Sequence, residues 1–216
     1  MNEHKRSLSE EAYLILKKRI LTMEGGSHLS ARKFAAEVGM SYTPVREAFI
    51  RMQKEGTLRL VPNVGFFVQT MGVTDLIQIF QVRECVECFI LDKVFDRFTE
   101  SQLSEMEAMN RQEEASLMRG DIYDYQQIDR KFHEIPFLYY GNRHLLNFYR
   151  DLRDQYMICS NEVANTHSHE AIEEHVEYLA SLRSGNKAAA IELLKMHIIR
   201  ARERMIKGFI QVINEK

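Results

Sequence analysis

The stretch SYTPVREAFIRMQKEGTLRLVPNVGFFV, residues 41–68, changes its period half-way along. Up to Lys54 the apolar residues recur at helical spacing. Val45, Ala48, Phe49 and Met52 fall on one face, with Arg46 and Arg51 outside it. Thr43 before Pro44 reads as a helix start, a hydroxyl cap followed by proline at the first helical position. Gly56 reads as the stop. Beyond it, TLRLV and FFVQ are β-prone segments separated by Pro62-Asn63-Val64-Gly65, a turn-rich tetrad. Working outward, Ser7 or Ser9 caps a first helix that opens with Glu10 and Glu11, carries Tyr13, Leu16 and Ile20 on one stripe, and stops near Gly25-Gly26. A second short helix follows Ser30, turns Phe34, Ala35 and Val38 inward, and stops at Gly39. Three helices and a two-stranded hairpin, over residues 1–72, give the order of a winged helix-turn-helix. In that fold the third helix enters the DNA major groove and the hairpin touches backbone or minor groove.

The totals agree with a globular chain. Of 216 residues, 45% are apolar and 28% charged, and no apolar run reaches the ~18–20 residues of a membrane span. The start, MNEHKRSLSEE, is too polar for a secretory signal. Three cysteines argue against a disulfide framework and for a reducing, cytoplasmic setting. The net charge of −2 hides an asymmetry: residues 1–72 hold 11 Lys and Arg against 7 Asp and Glu, and residues 73–216 hold 18 against 24. A basic head on an acidic body points the head toward a polyanion.

The run from LKKRIL to GFFV, with S-x-TPVREA, a hydrophobic helix, EG and a Pro-x-x-Gly wing, resembles the DNA-binding head of the GntR family of bacterial transcription regulators. By position, the resemblance implies DNA contacts at Arg32, at Ser41, Tyr42, Thr43 and Arg46 around the recognition helix, and at the wing tip Asn63-Val64-Gly65. Arginine can fork onto guanine or phosphate, and hydroxyls and helix N-terminal N–H groups suit phosphate. Two positions depart from the family pattern. Tyr42 stands where arginine is usual, and the wing reads Asn-Val-Gly where Gly-Arg-Gly is usual. The expectation is a different operator preference and a shallower salt dependence.

Residues 73–216 read as an all-helical bundle of six helices, about 73–96, 99–118, 121–139, 142–163, 169–184 and 187–213. Asn142, Thr166 or Ser168, and Asn186 mark starts; Gly120, Gly141 and Gly185 mark stops. The run DRKFHEIPF holds Asp129 and His133 four residues apart, close enough on a helix to grip one atom. His175 shares a stripe with Ile172, Leu179 and Leu182, and His197 one with Ala190, Leu194 and Ala201. Such residues are as readily hydrogen-bonded core groups as ligands of a divalent metal, and the residues alone leave both readings open.

This region resembles the FCD ligand-binding domain that follows the head in one branch of the family, in its shorter, six-helix version. The resemblance rests on Asp129-x-x-x-His133, on Glu174-His175 before LASLRSGN, and on His197. It implies a metal ion at Asp129, His133, His175 and His197, zinc by default with nickel or manganese also suited, completed by a small organic acid effector. For such a regulator, a homodimer is the natural way to read a palindromic double-stranded operator. Arg83, in QVRECVE, matches a frequent family arginine and is read either as an effector contact or as the partner of Glu87. Cys85-x-x-Cys88 and Cys159 read as buried. His144, His167 and His169 read as capping or solvent-facing, and Pro136 as a bend. Three functions follow: a metal-dependent, effector-controlled DNA-binding regulator; a DNA-binding protein whose metal is structural; and a metalloenzyme, which would leave the head unexplained.

Overall fold

The computed structural model describes residues 7–161 and 169–214. The chain divides into two compact units, Met1–Gly72 with Asp154–Glu162, and Val73–Arg153 with Val163–Lys216. The first holds α1 (Leu8–Ile20), β1 (His28–Leu29), α2 (Ala31–Glu37), α3 (Tyr42–Lys54), β2 (Leu58–Val61) and β3 (Gly65–Val68). The sheet order is β1-β3-β2, with both pairs antiparallel. The hairpin is thus a three-stranded wing, and β1 is the strand that the sequence reading lacks. Ser7 and Ser30 cap α1 and α2 through their hydroxyls.

Two helix ends differ from expectation. The third helix begins at Tyr42 with Ser41 as its cap, so Pro44 occupies its third position rather than its first. That is permitted because the first four N–H groups of a helix have no intrahelical partner. The first helix ends at Ile20, where the Thr22 hydroxyl donates to the Arg19 carbonyl at 2.9 Å, well before Gly26. In the core of this unit, Phe49 lies 5.6 Å from the Phe34 ring and 4.9 Å from the Phe66 ring. Leu16, Ile20, Val45 and Met52 are fully buried around it.

The second unit is all helical: α4 (Val73–Val94) with a 3-10 turn at Phe95–Arg97, α5 (Glu100–Met118), α6 (Ile122–Tyr140), α7 (Arg143–Asn161) as far as Arg153, α8 (His169–Arg183) and α9 (Lys187–Asn214), while the rest of α7, from Asp154, falls in the first unit. Thr99 and Gln102 form a reciprocal capping box on α5, and Asp121 caps α6. Asn142 accepts from the His144 and Leu145 N–H groups, and Asn186 from that of Ala189. The α6 helix runs through Pro136 and closes at Gly141, whose φ of 78° suits glycine. It packs on α4 and α5, α9 packs on α4 and α8, and α8 packs on α5, so five helices face one interior.

Cys85 is exposed and Cys88 half-buried, which corrects the expectation that both lie in the core. The two sit on α4 between turns that bury Arg83, Glu87 and Ile90 instead. His144 and His169 are exposed. The side chains of Cys159, Thr166, His167 and Ser168 lie outside the described residues. Among the described residues no helix is long and apolar enough to cross a membrane.

Truncating Phe49 to alanine should cost the first unit about 3–5 kcal/mol, because three rings meet there. Thermal unfolding followed by circular dichroism checks the loss.

Candidate metal centre and nucleic-acid face

The α6 helix supplies Asp129 and His133, α8 supplies His175, and α9 supplies His197. The three histidines are buried and Asp129 nearly so. One ligand atom from each of the four lies within 4.8 Å of all the others. His175 Nε2 stands 3.2 Å from His133 Nε2 and 3.4 Å from His197 Nε2, and Asp129 Oδ1 lies 3.6 Å from His133 Nε2. Nitrogen ligands at ~2.0–2.1 Å from one zinc at tetrahedral angles lie about 3.4 Å apart, so the spacing suits a cation at the centre.

Each imidazole is turned by a carboxylate behind it. His133 Nδ1 is 3.0 Å from Glu87 Oε2, His175 Nδ1 is 3.0 Å from Glu113 Oε2, and His197 Nδ1 is 2.8 Å from Glu174 Oε2. An ionised carboxylate only accepts, so each Nδ1 carries the proton and each Nε2 presents a lone pair to the centre. Three converging lone pairs repel one another unless a proton or a metal ion sits among them. The donor set, three neutral imidazole nitrogens and one carboxylate with carboxylates behind the rings, could hold a divalent ion.

A further layer holds the carboxylates. Arg83 Nε donates to Glu87 Oε1 at 2.7 Å, and Arg204 grips both Glu174 oxygens at 2.9 Å. Arg153, 1% exposed, pairs with Asp129. Phe132 stacks on His175 with ring centroids 4.3 Å apart.

The charges respond to this packing. Burial and the neighbouring His175 push His197 down to about 3, and burial lowers His133. Burial alone would lower His175 too, but Glu113 and Asp129 outweigh it and raise it. Burial raises Glu113 above the usual carboxylate range, against the pull of the neighbouring His175. Although burial opposes it, Arg153 with the nearby imidazoles holds the Asp129 carboxyl far below the usual range.

Of the residues singled out in the sequence, Asp129, His133, His175 and His197 are thus brought together. Arg83 is 1% exposed and committed to Glu87, one step behind His133. The supporting Glu113 and Arg153 were missed. Glu113 did carry a signal, since it continues the buried stripe Leu103, Met106, Asn110 along α5. A charged residue on an apolar helix stripe marks a paired group.

On the first unit, Arg32, Tyr42 and Arg46 line an open groove of about 790 Å³ together with Asn63 and Gly65. Ser41 and Thr43 are exposed at the N-terminus of α3 but do not line it. Asn63 holds a φ of 63° in the wing turn. The groove lies between the recognition helix and the wing, where a duplex backbone and groove edge would fit.

Replacing Glu113 with glutamine keeps the shape but removes the charge behind His175. Metal affinity measured by chelator competition should fall about 10–100-fold. Acid should weaken the metal-free protein. His197 takes up no proton in the folded state until about pH 3, whereas its unfolded value is 6.5. The unfolded chain therefore binds more protons across that window, and stability falls as pH drops through it. Glu174, held down to about 2, adds to the loss below 4.5. The His175 contribution has the opposite sign, being present below 6.5 and lost as pH rises through its folded value. Thermal melts of chelator-treated protein from pH 7 to pH 4 check the acid limb.

Comparison with known proteins agrees with both halves. Residues 8–68 match the family model described as bacterial regulatory proteins, gntR family, and residues 78–200 match the FCD domain. The chain is 26% identical over 192 residues to the HTH-type transcriptional regulator YdhC of Bacillus subtilis, covering 87% of this chain and 84% of that protein. It is 25% identical to the transcriptional repressor RspR of Escherichia coli over 130 residues, which span 59% of this chain and 57% of the repressor. Its fold is similar to that of E. coli McbR/YncC, with a TM-score of 0.81 at 21% identity over 97% of this chain and 99% of that one. It is also similar to the metal-free FCD domain of TM0439, with a TM-score of 0.57 at 23% identity over 66% of this chain and 99% of that one. With its GntR head and its FCD domain, the chain belongs to the GntR family of transcription regulators.

Proposed function

We propose that this regulator binds a divalent metal through Asp129, His133, His175 and His197, and that a small carboxylate reaching that centre controls operator affinity. The observation that carries the reading is the convergence of three Nε2 atoms and one carboxylate oxygen within 4.8 Å, each ring backed by its own glutamate. Zinc fits this donor set best, and nickel or manganese also suit nitrogen and oxygen ligands. A neighbour of the same fold is titled the metal-free form of its FCD domain, which agrees with a metal-bearing counterpart.

When bound, the metal supplies positive charge and an open coordination position for an anion. The chain's own residues do the rest. Glu87, Glu113 and Glu174 fix the ring orientations, and Arg83 and Arg153 set a positive field beside Asp129. Tyr149 is fully buried, its hydroxyl has no hydrogen-bond partner among the described residues, and it feels Glu87, Arg153, Arg83 and Asp129. A buried phenol hydroxyl left unmade costs about 1–3 kcal/mol, and a carboxylate oxygen arriving there would satisfy it. Tyr149 therefore joins Arg83 as an effector-side residue in this reading.

The head acts on double-stranded DNA, where Arg32, Ser41, Tyr42, Thr43, Arg46, Asn63 and Gly65 make the contacts. Exposed Phe89, Leu138 and Phe148 on the body offer the apolar surface of a homodimer, which a palindromic site in the cytoplasm would match. An effector shifts operator affinity only by binding two arrangements of the protein unequally.

In the double variant His133→Ala with His197→Ala, metal should disappear from elemental analysis and the effector response should vanish, while basal operator binding persists. Unchanged metal content would refute the ligand assignment. Tyr149→Phe should retain the metal and weaken carboxylate binding about tenfold to a hundredfold, the worth of one hydrogen bond to a charged group. Native mass spectrometry of gently purified protein reads metal, effector and dimer mass together. A metal that no carboxylate approaches, with operator binding indifferent to every small acid tried, would favour the structural-metal alternative.

A further inference from the structure

The groove on the first unit holds more apolar surface than a phosphate-binding face requires. Tyr42, Leu60 and Val64 all line it, and they are 43%, 42% and 58% exposed. The core of the unit is complete without them, since Phe34, Phe49, Phe66 and Met52 are already enclosed. An aromatic ring left in solvent between two arginines is placed for a ligand rather than for packing.

Tyr42 is also held in place. It is the first residue of α3, and the Arg32 guanidinium, from the first turn of α2, lies over its ring at 5.8 Å from the centroid. At that distance the guanidinium is attracted to the ring as a cation and keeps its N–H groups for other acceptors. Arg32 and Tyr42 thus form one unit, with a cationic donor edge beside an aromatic surface.

The wing tip is braced in the same way. The Val64 N–H donates to the Val61 carbonyl at 3.1 Å, and His28 Nε2 lies 3.2 Å from the Val64 carbonyl oxygen. His28 also sets its ring edge on Phe67, with centroids 5.1 Å apart. Gly65, at a φ of 138°, has no room for a side chain, since a Cβ would stand 2.7 Å from His28 Nε2. Val64 is therefore carried on a fixed turn and offers no donor.

Major-groove edges carry a single apolar group, the 5-methyl of thymine. We propose that Tyr42, beside Arg32, reads thymine in each operator half-site by contact with that methyl. Arg32 and Arg46 supply the donors to guanine or phosphate, and Val64 rests on the sugar wall and adds position without charge. The inference rests on the DNA-binding reading of the head and goes beyond it by naming the base.

The test starts with full-length protein and a pool of random duplexes. Thymines of the enriched site are then replaced one at a time by deoxyuridine, which removes only the methyl. Wild type should lose affinity about threefold to fivefold at one thymine per half-site, the worth of one buried methyl. Tyr42→Phe should keep that sensitivity, whereas Tyr42→Ala should bind more weakly and be indifferent to the same replacement. An enriched site at which no uracil matters in wild type, or equal sensitivity in Tyr42→Ala, overturns the inference alone. If no sequence is enriched at all, the DNA-binding reading falls and takes this one with it.

Discussion

Three buried imidazoles cannot point their lone pairs at one another without something positive between them. That constraint governs the body of this protein. His133, His175 and His197 come from three helices, and each has its far nitrogen fixed by a separate glutamate. The glutamates are themselves buried, so they need the positive charge of Arg83 and Arg204 or the N–H of the imidazoles they hold. With neutral imidazoles, Asp129, Glu87, Glu113 and Glu174 put more buried acidic groups around the centre than the arginines Arg83, Arg153 and Arg204 that pair with them. Burial of unpaired charge is costly enough that the site would otherwise deform or take up protons.

The same arrangement explains why a metal centre and a responsive element can be one structure. A closed shell of apolar contacts would be as stable and would respond to nothing. Here the interior is held instead by buried ionic contacts, Arg83 on Glu87, Arg204 on Glu174 and Arg153 on Asp129. The buried Tyr149 hydroxyl, without a partner among the described residues, lies on that same interior. On the head, an analogous economy holds. The wing is short, and its register is fixed by β1, by the His28 contact and by Gly65, so few residues set where Val64 stands.

Much of the fold was legible because helix ends announce themselves chemically. Asn142, Asn186, Ser7 and Ser30 cap where their side chains can accept from the first free N–H groups, and Gly120, Gly141 and Gly185 close helices at positive φ. The errors have equally local causes. A two-residue strand such as β1 has no period to detect, and it exists only because β3 offers it an edge. The start of α3 was misplaced because proline is tolerated throughout the first turn, so Pro44 could not tell the first position from the third.

The sequence by itself determined that a winged head precedes a helical body, and that Asp129 and His133 share a helix face, because spacing along one helix is a local property. It also placed His175 and His197 on apolar stripes, and so inside. Only the tertiary structure decided that these four meet, that Glu87, Glu113 and Glu174 stand behind the rings, and that Arg32 lies over Tyr42. Those contacts join residues far apart in the chain, and helix packing, which no local periodicity encodes, sets their distances.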